Sequence, residues 1–172
     1  MLPNDMASKI IDALRGLSEP GGVDKLWSEV CSYVEDNAVV LYSWQGYTTS
    51  TPPSPDPYNF TGIQATIDTS LGNSLSLVGF DQVSTATEAM GKLSGAINQA
   101  VSLWMISFPS SFAVNPCFVI PSIVLTPSGA DNQEDAMNAL CSEIIDGLKL
   151  ATPSIAGSNS PYVGVGGFSS IL

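Results

Sequence analysis

From Val83 to Ser107 apolar residues recur at alternating gaps of three and four: Val83, Ala86, Met90, Leu93, Ile97, Ala100 and Trp104. That spacing places all seven on one stripe of a helix. Glu88 precedes Lys92 by one turn, the favourable order for an ion pair. The flanking positions Thr87, Ala89, Ser94 and Ala96 are small or polar, so another helix can approach closely. The stripe therefore predicts a central helix of a compact bundle. It is too short, and too poor in flanking charge, for a free-standing coiled coil.

The same periodicity predicts three further helices. Met6, Ile10, Leu14 and Leu17 form a stripe over Asp5–Leu17, with Pro3 and Asn4 suited to its start. Leu26, Val30 and Val34 do so over Val23–Asn37, after the break at Glu19-Pro20-Gly21-Gly22. The two should pack as a helical hairpin. Met137, Leu140, Cys141, Ile144, Ile145 and Leu148 line one face of Asp131–Leu150. Acids crowd its first turn and Lys149 sits in its last, matching the helix dipole.

Between these helices the pattern changes. Ala38–Trp44 is β-branched and aromatic and reads as a short strand or as a continuation of the second helix. Gly46–Tyr58 carries Pro52, Pro53, Pro55 and Pro57 and predicts an extended connector. Ile63, Ala65 and Ile67 alternate with Gln64, Thr66 and Asp68, which with Gly72-Asn73 predicts a β-hairpin across 61–80. Cys117–Leu125 is too proline-flanked for a helix and too apolar for water. It should run extended across the bundle surface or under a neighbouring subunit. From Ala151 the chain is rich in Gly, Ser and Pro yet keeps Tyr162, Val163, Val165, Phe168, Ile171 and Leu172. It reads either as an arm that orders on a partner by strand addition or as a tail that packs back on its own domain. The expected organisation is a mainly α (α+β) domain over 1–150, a bundle of about four helices with a small hairpin, followed by an extended arm over 151–172.

Composition narrows the function. Charged residues make up 12% of the 172 positions, about half the usual share, while apolar content is an ordinary 44%. Such a sparse charge shell fits a surface covered by other subunits, or one rich in uncharged Ser and Thr. The net charge is −11, from five Lys+Arg against 16 Asp+Glu. The five cations are scattered, which disfavours binding to nucleic acid or to an anionic membrane. No run reaches the roughly 18 apolar residues a bilayer span needs. The opening MLPNDMASK lacks a cationic segment followed by an apolar run, so no signal peptide is expected and synthesis should be cytoplasmic.

Catalytic chemistry is thin. The chain has no His, which removes Ser-His-Asp and Cys-His catalysis and most zinc sites. No phosphate-binding loop, dinucleotide fingerprint or EF-hand pattern occurs. Cys31, Cys117 and Cys141 are far apart and read as small buried hydrophobes. The acid pairs Glu35-Asp36 and Glu134-Asp135 each diverge by about 100° on a helix and so do not converge on a substrate. No catalytic, cofactor or metal site is expected. Trp27 and Trp104 lie on or beside apolar stripes and read as core. Trp44 precedes a Gln45-Gly46 turn and is the tryptophan expected to be exposed.

The opening MLPNDMASKIIDAL, the following WSEVCSYVEDNAVV, the proline-rich connector, the small-residue helix and the glycine-rich apolar end together resemble small virion proteins of tailed bacteriophages. The likeness is greatest over roughly the first 45 residues and is one of style. It implies a non-enzymatic structural subunit of the tail, baseplate or neck, made in the host cytoplasm and residing in the virion. Its partners would be other virion structural proteins and copies of itself. The candidate contact residues are Trp44, Tyr162, Val163, Val165, Phe168, Ile171 and Leu172. The alternative is an adhesin-like module binding a glycan or protein through Trp44 and the loop Tyr47–Tyr58. An acid-based polysaccharide hydrolase is a third and weaker reading.

Overall fold

The computed structural model describes residues 1–15, 22–48, 50–55, 60–107, 118–154, 158–159 and 162–171. It is a mixed α+β fold with four α-helices, α1 (Pro3–Leu14), α2 (Gly22–Asn37), α3 (Ala86–Val101) and α4 (Gln133–Lys149). Seven strands form an antiparallel sheet: β1 (Val40–Thr48), β2 (Phe60–Asp68), β3 (Met105–Ser107), β4 (Phe118–Ile120), β5 (Thr152–Ser154), β6 (Ser158–Asn159) and β7 (Tyr162–Ile171).

α1 packs between α2 and α4 and buries Met6, Ala7 and Ile10. Its start is tied to α2 by Tyr33, whose hydroxyl donates to the Leu2 carbonyl (3.1 Å) and accepts from the Leu2 amide (3.0 Å). The expected bundle centred on α3 is not what organises the molecule. α3 packs on β4 and on the chain that follows it, and only its C-terminal half is buried, through Ala96, Ile97, Ala100 and Val101. Its start is fixed by a capping box: Thr85 Oγ1 accepts from Glu88 N (3.2 Å), and the Glu88 carboxylate accepts from Thr85 N (3.3 Å). The helix ends at Val101, and a tight turn with Leu103 N donating to Ala100 O (3.1 Å) and Trp104 N to Val101 O (3.0 Å) carries Trp104 into the core. There it stacks on Trp27, with ring centroids 5.6 Å apart and planes at 18°. Both rings are fully buried.

The sheet runs β5-β4-β3-β2-β1-β7-β6. β2 serves two neighbours along its length: Phe60–Ala65 pairs with β1, and Thr66–Asp68 pairs with β3. Ser154 of β5 and Ser158 of β6 stand at opposite ends of this order, yet only four Cα–Cα steps separate them, a reach of roughly 14 Å. A flat sheet would hold its outer strands about 29 Å apart. The sheet is therefore curled, and β5 comes into contact with β7.

The hairpin expected across 61–80 is replaced by this arrangement. Ala65 and Ile67 are buried and Gln64, Thr66 and Asp68 exposed, as the alternation predicts, but β2 finds its partners in β1 and β3. The segment after it turns over the core instead of returning as a strand. Gly72 sits at φ +80°, and a Cβ there would lie 2.1 Å from the Ala100 carbonyl oxygen. The freed Gly72 carbonyl accepts from Trp27 Nε1 (2.8 Å). Thr69, the buried polar residue at the end of β2, gives both its amide (2.9 Å) and its hydroxyl (2.6 Å) to Glu35 Oε1.

Of the stretch expected as an arm, the described strand β7 lies along β1 of the same molecule, from Val40↔Ile171 to Thr48↔Tyr162. The physical reason is local: β1 has one edge occupied by β2 and offers its other edge to a strand already tethered to the domain.

Candidate interaction surface

The extended run after β4 is the element that shapes the surface. Val119, Ile123 and Leu125 are buried, while Phe118, Ile120 and Val124 are exposed. The run lies between α3 and α4. Asn98 Nδ2 and Ser94 Oγ both donate to the Ile123 carbonyl (2.8 and 2.7 Å), and Ile123 N donates to Asn98 Oδ1 (3.1 Å). On the other side Gly147 of α4 leaves room for Ile123, since a Cβ there would fall 2.6 Å from the Ile123 Cα. Further on, Thr126 N donates to Glu143 Oε2 (3.0 Å), and the Thr126 hydroxyl donates to the same carboxylate.

With the inward side fixed, the outward side follows from the pleat. Met105 of β3 pairs with Phe118, and Ile120 pairs with Thr152 of β5, so these residues share a face. Leu103 stands in the turn that precedes β3, and Leu150 is the C-cap of α4, two positions before Thr152. Leu103 is 47% exposed, Phe118 39%, Ile120 49%, Val124 69% and Leu150 70%. Phe118 and Ile120 thus stand exposed on one side of β4, with Val124 exposed in the run that follows. No Asp, Glu, Lys or Arg occurs from Leu93 to Ala130, or after Lys149, and the acid on this side of the sheet is the exposed Asp68 of β2, which pairs with Met105. Contiguous exposed apolar area of this kind marks an interaction surface.

No protein-family model matches the chain, and neither a curated protein nor a solved structure matches it. The function has to be argued from the surface itself.

The ion pairs sit elsewhere. Lys9 pairs with Asp36 (3.6 Å), Arg15 with Asp12 (3.3 Å), and Lys25 with Glu29. Five of these six groups lie on α1 and α2, and Arg15 is the residue that caps the end of α1. Two clefts adjoin the helices. One of about 330 Å³ lies between α1 and the start of α4, lined by Ser8, Ile11, Asp12, Arg15, Gln133 and Glu134, with its Asp12 and Arg15 already paired. The other, about 190 Å³, is apolar and lies where Met90 of α3 faces Met137 and Leu140 of α4. Neither brings a nucleophile and a base together. No cluster of three or more metal-ligating side chains occurs among the described residues. No helix among them is long and apolar enough to cross a membrane.

The cysteines and acids complete the survey. Burial pushes the Cys31 thiol up to about 12, with Glu35 adding to the rise and a hydrogen bond to Thr69 opposing it. Burial alone pushes Cys141 up to about 12. Both are buried free thiols and chemically quiet. Cys117 lies outside the described residues. Glu35 is occupied by Thr69, and Asp135 belongs to the α4 start, where its amide donates to Asn132 Oδ1 (2.9 Å).

The contact residues expected from the sequence fall elsewhere in the fold. Trp44 stands in β1 opposite Gly166. Tyr162, Val163, Val165, Phe168 and Ile171 stand in β7 opposite Thr48, Tyr47, Gln45, Tyr42 and Val40. Their main chains are thus committed to a strand pair within one molecule, and Leu172 lies outside the described residues. Sequence reasoning marked Cys117–Leu125 as too apolar for water but did not resolve its sides. The long gap in charge around it was the signal available in the sequence.

Proposed function

We propose that this chain is a non-enzymatic structural subunit of a multi-subunit assembly, and specifically of a tailed-bacteriophage virion in its tail, baseplate or neck. One observation carries the reading: β4 exposes Phe118 and Ile120 side by side on the outer face of the sheet, and the run after it exposes Val124. A lone soluble domain has little use for such a face, whereas an assembled subunit buries it. The resemblance of the opening residues and of the element order to small virion proteins supports the choice of particle. The partners on this reading are other virion proteins and further copies of the chain.

The test is co-sedimentation. Particles purified by density gradient from a lysate should carry the chain at a fixed copy number that survives a high-salt wash. A chain that stays at the top of the gradient, apart from every particle, contradicts the reading.

A further inference from the structure

We propose that β7 is exchanged between copies: the strand of one chain leaves its own β1 and takes the same place on β1 of a second copy, reciprocally, about a two-fold axis. The proposal rests on the reading of the chain as an assembly subunit and goes further by naming the joint between two copies.

The register identifies the occupant. β7 pairs with β1 along the whole of that strand, from Val40↔Ile171 to Thr48↔Tyr162. Every copy carries both partners, so β7 of a second chain makes the same ladder on the same edge. β7 is also the strand best placed to leave. On its other side, among the described residues, only Tyr162 and Val163 pair, with Asn159 and Ser158 of β6. The strand before β6 in the chain, β5, pairs with β4 at the far end of the strand order. Withdrawal of β7 therefore opens the β1 ladder and leaves those joining β1 to β5 as they are.

The link to β7 favours opening. Asn159 pairs with Tyr162, so Ser160 and Pro161 alone join β6 to β7. The favoured two-residue hairpin loops, types I′ and II′, need positive φ at their first position. Gly and Asn supply it readily. Ser160 does not, and a residue before proline is steered towards extended backbone. An extended path through Ser160-Pro161 gives up the two β6 pairs and carries β7 past its own sheet. The eight Cα steps from Ser154 to Tyr162 then reach roughly 27 Å, far enough to meet an adjoining copy. The ladder lost at home is regained in full on the neighbour, so the cost of exchange is chiefly association entropy and falls as concentration rises. Neither β1 nor the chain after Lys149 carries a charge that would oppose the approach of the two strands.

The test is disulfide trapping in the full chain with Cys117→Ser; the other two cysteines are buried. Gln45 and Val165 are opposed in the β1–β7 register, at a Cα separation that a disulfide spans. Chains carrying Gln45→Cys alone and Val165→Cys alone are refolded together from urea at high concentration and oxidised. The mixture should yield a linked dimer of twice the 18.0 kDa of one chain, well above the yield from either chain alone. Adding Ser160→Asn and Pro161→Gly to both chains, which suits the link to a closed hairpin, should cut that yield about tenfold. A mixture that yields no more than either chain alone, or a yield that the two link substitutions leave unchanged, overturns the exchange. So does a mixture without linked dimer when a chain carrying both Gln45→Cys and Val165→Cys closes its disulfide internally: β7 then stays at home. In each of these cases co-sedimentation with particles still decides the subunit reading separately.

Discussion

Asn98 grips Ile123 from both sides of its backbone, its amide donating to the Ile123 carbonyl (2.8 Å) and its carbonyl oxygen accepting from the Ile123 amide (3.1 Å). A helix side chain here does what a neighbouring strand would do, and it lets an apolar ribbon cross the helices without unpaired backbone. Asn98→Ala leaves the buried Ile123 amide without a partner, while Ser94 still serves the carbonyl. The expected cost is about 1–3 kcal/mol. Urea unfolding at neutral pH measures it; a loss within error of zero shows that the ribbon is held by packing alone.

Gly147 and Gly95 should respond to alanine with opposite signs. A Cβ at Gly147 would meet Ile123 at 2.6 Å, and one at Gly95 would meet nothing within 4 Å. Gly147→Ala should destabilise by about 1–3 kcal/mol through overpacking. Gly95→Ala, exposed on α3, should stabilise by about 0.5–1 kcal/mol through lower chain entropy and better helix propensity. Denaturation midpoints of the two variants shifted in the same direction would show that α4 does not close on the ribbon as described.

The two stacked tryptophans differ in one bond. Trp27 Nε1 donates to Gly72 O (2.8 Å), whereas Trp104 Nε1 is buried with no hydrogen-bond partner among the described residues. Replacement by Phe removes similar bulk from each. Trp27→Phe also strands the Gly72 carbonyl, so it should cost about 1–3 kcal/mol more than Trp104→Phe. Equal losses in parallel thermal melts would show that the bond from Trp27 to Gly72 adds nothing to stability.

Acid should weaken the start of α3. Glu88 accepts from Ser84 N (3.0 Å), Ser84 Oγ (2.8 Å) and Thr85 N (3.3 Å), and the Ser84 bonds foremost hold its carboxyl below the ordinary range of a glutamate. A carboxyl depressed on folding adds stability above its unfolded value and loses it as pH falls through the folded one. The gap in melting temperature between wild type and Glu88→Ala should therefore be widest near neutral pH and shrink below about 4.5. A gap that stays constant down to pH 3 contradicts the cap. Asp68, lowered by its bonds to Ser70, acts in the same sense.

What the sequence made legible was what neighbouring residues decide. α2 and α4 fall within a residue or two of the stripes that predict them, and β1 and β2 overlap their predicted strands. α1 is shorter, ending at Leu14 where Leu17 was expected. The stripe from Val83 to Trp104 overran α3 because periodicity reads burial, not helix continuation. Trp104 returns to the buried side through a turn after Val101, and Thr85-x-x-Glu88 marked the true start. What stayed hidden were pairings between distant segments. β1 and β7 are more than a hundred residues apart, and β7 carries Gly164, Gly166 and Gly167, which weaken any local strand signal. The surface was half legible: Cys117–Leu125 stood out as apolar, but its two sides separate only once Asn98 and Gly147 fix Ile123 inward.

Hydroxyl-radical footprinting of the free chain beside the chain in purified particles tests the claimed face most directly. Oxidation of Phe118, Ile120 and Val124 should fall several-fold in the particles, while the free chain is oxidised at Phe118, Ile120, Val124, Leu71, Val78 and Leu2 alike. Constant oxidation at all six positions, or protection confined to the helices, would contradict it.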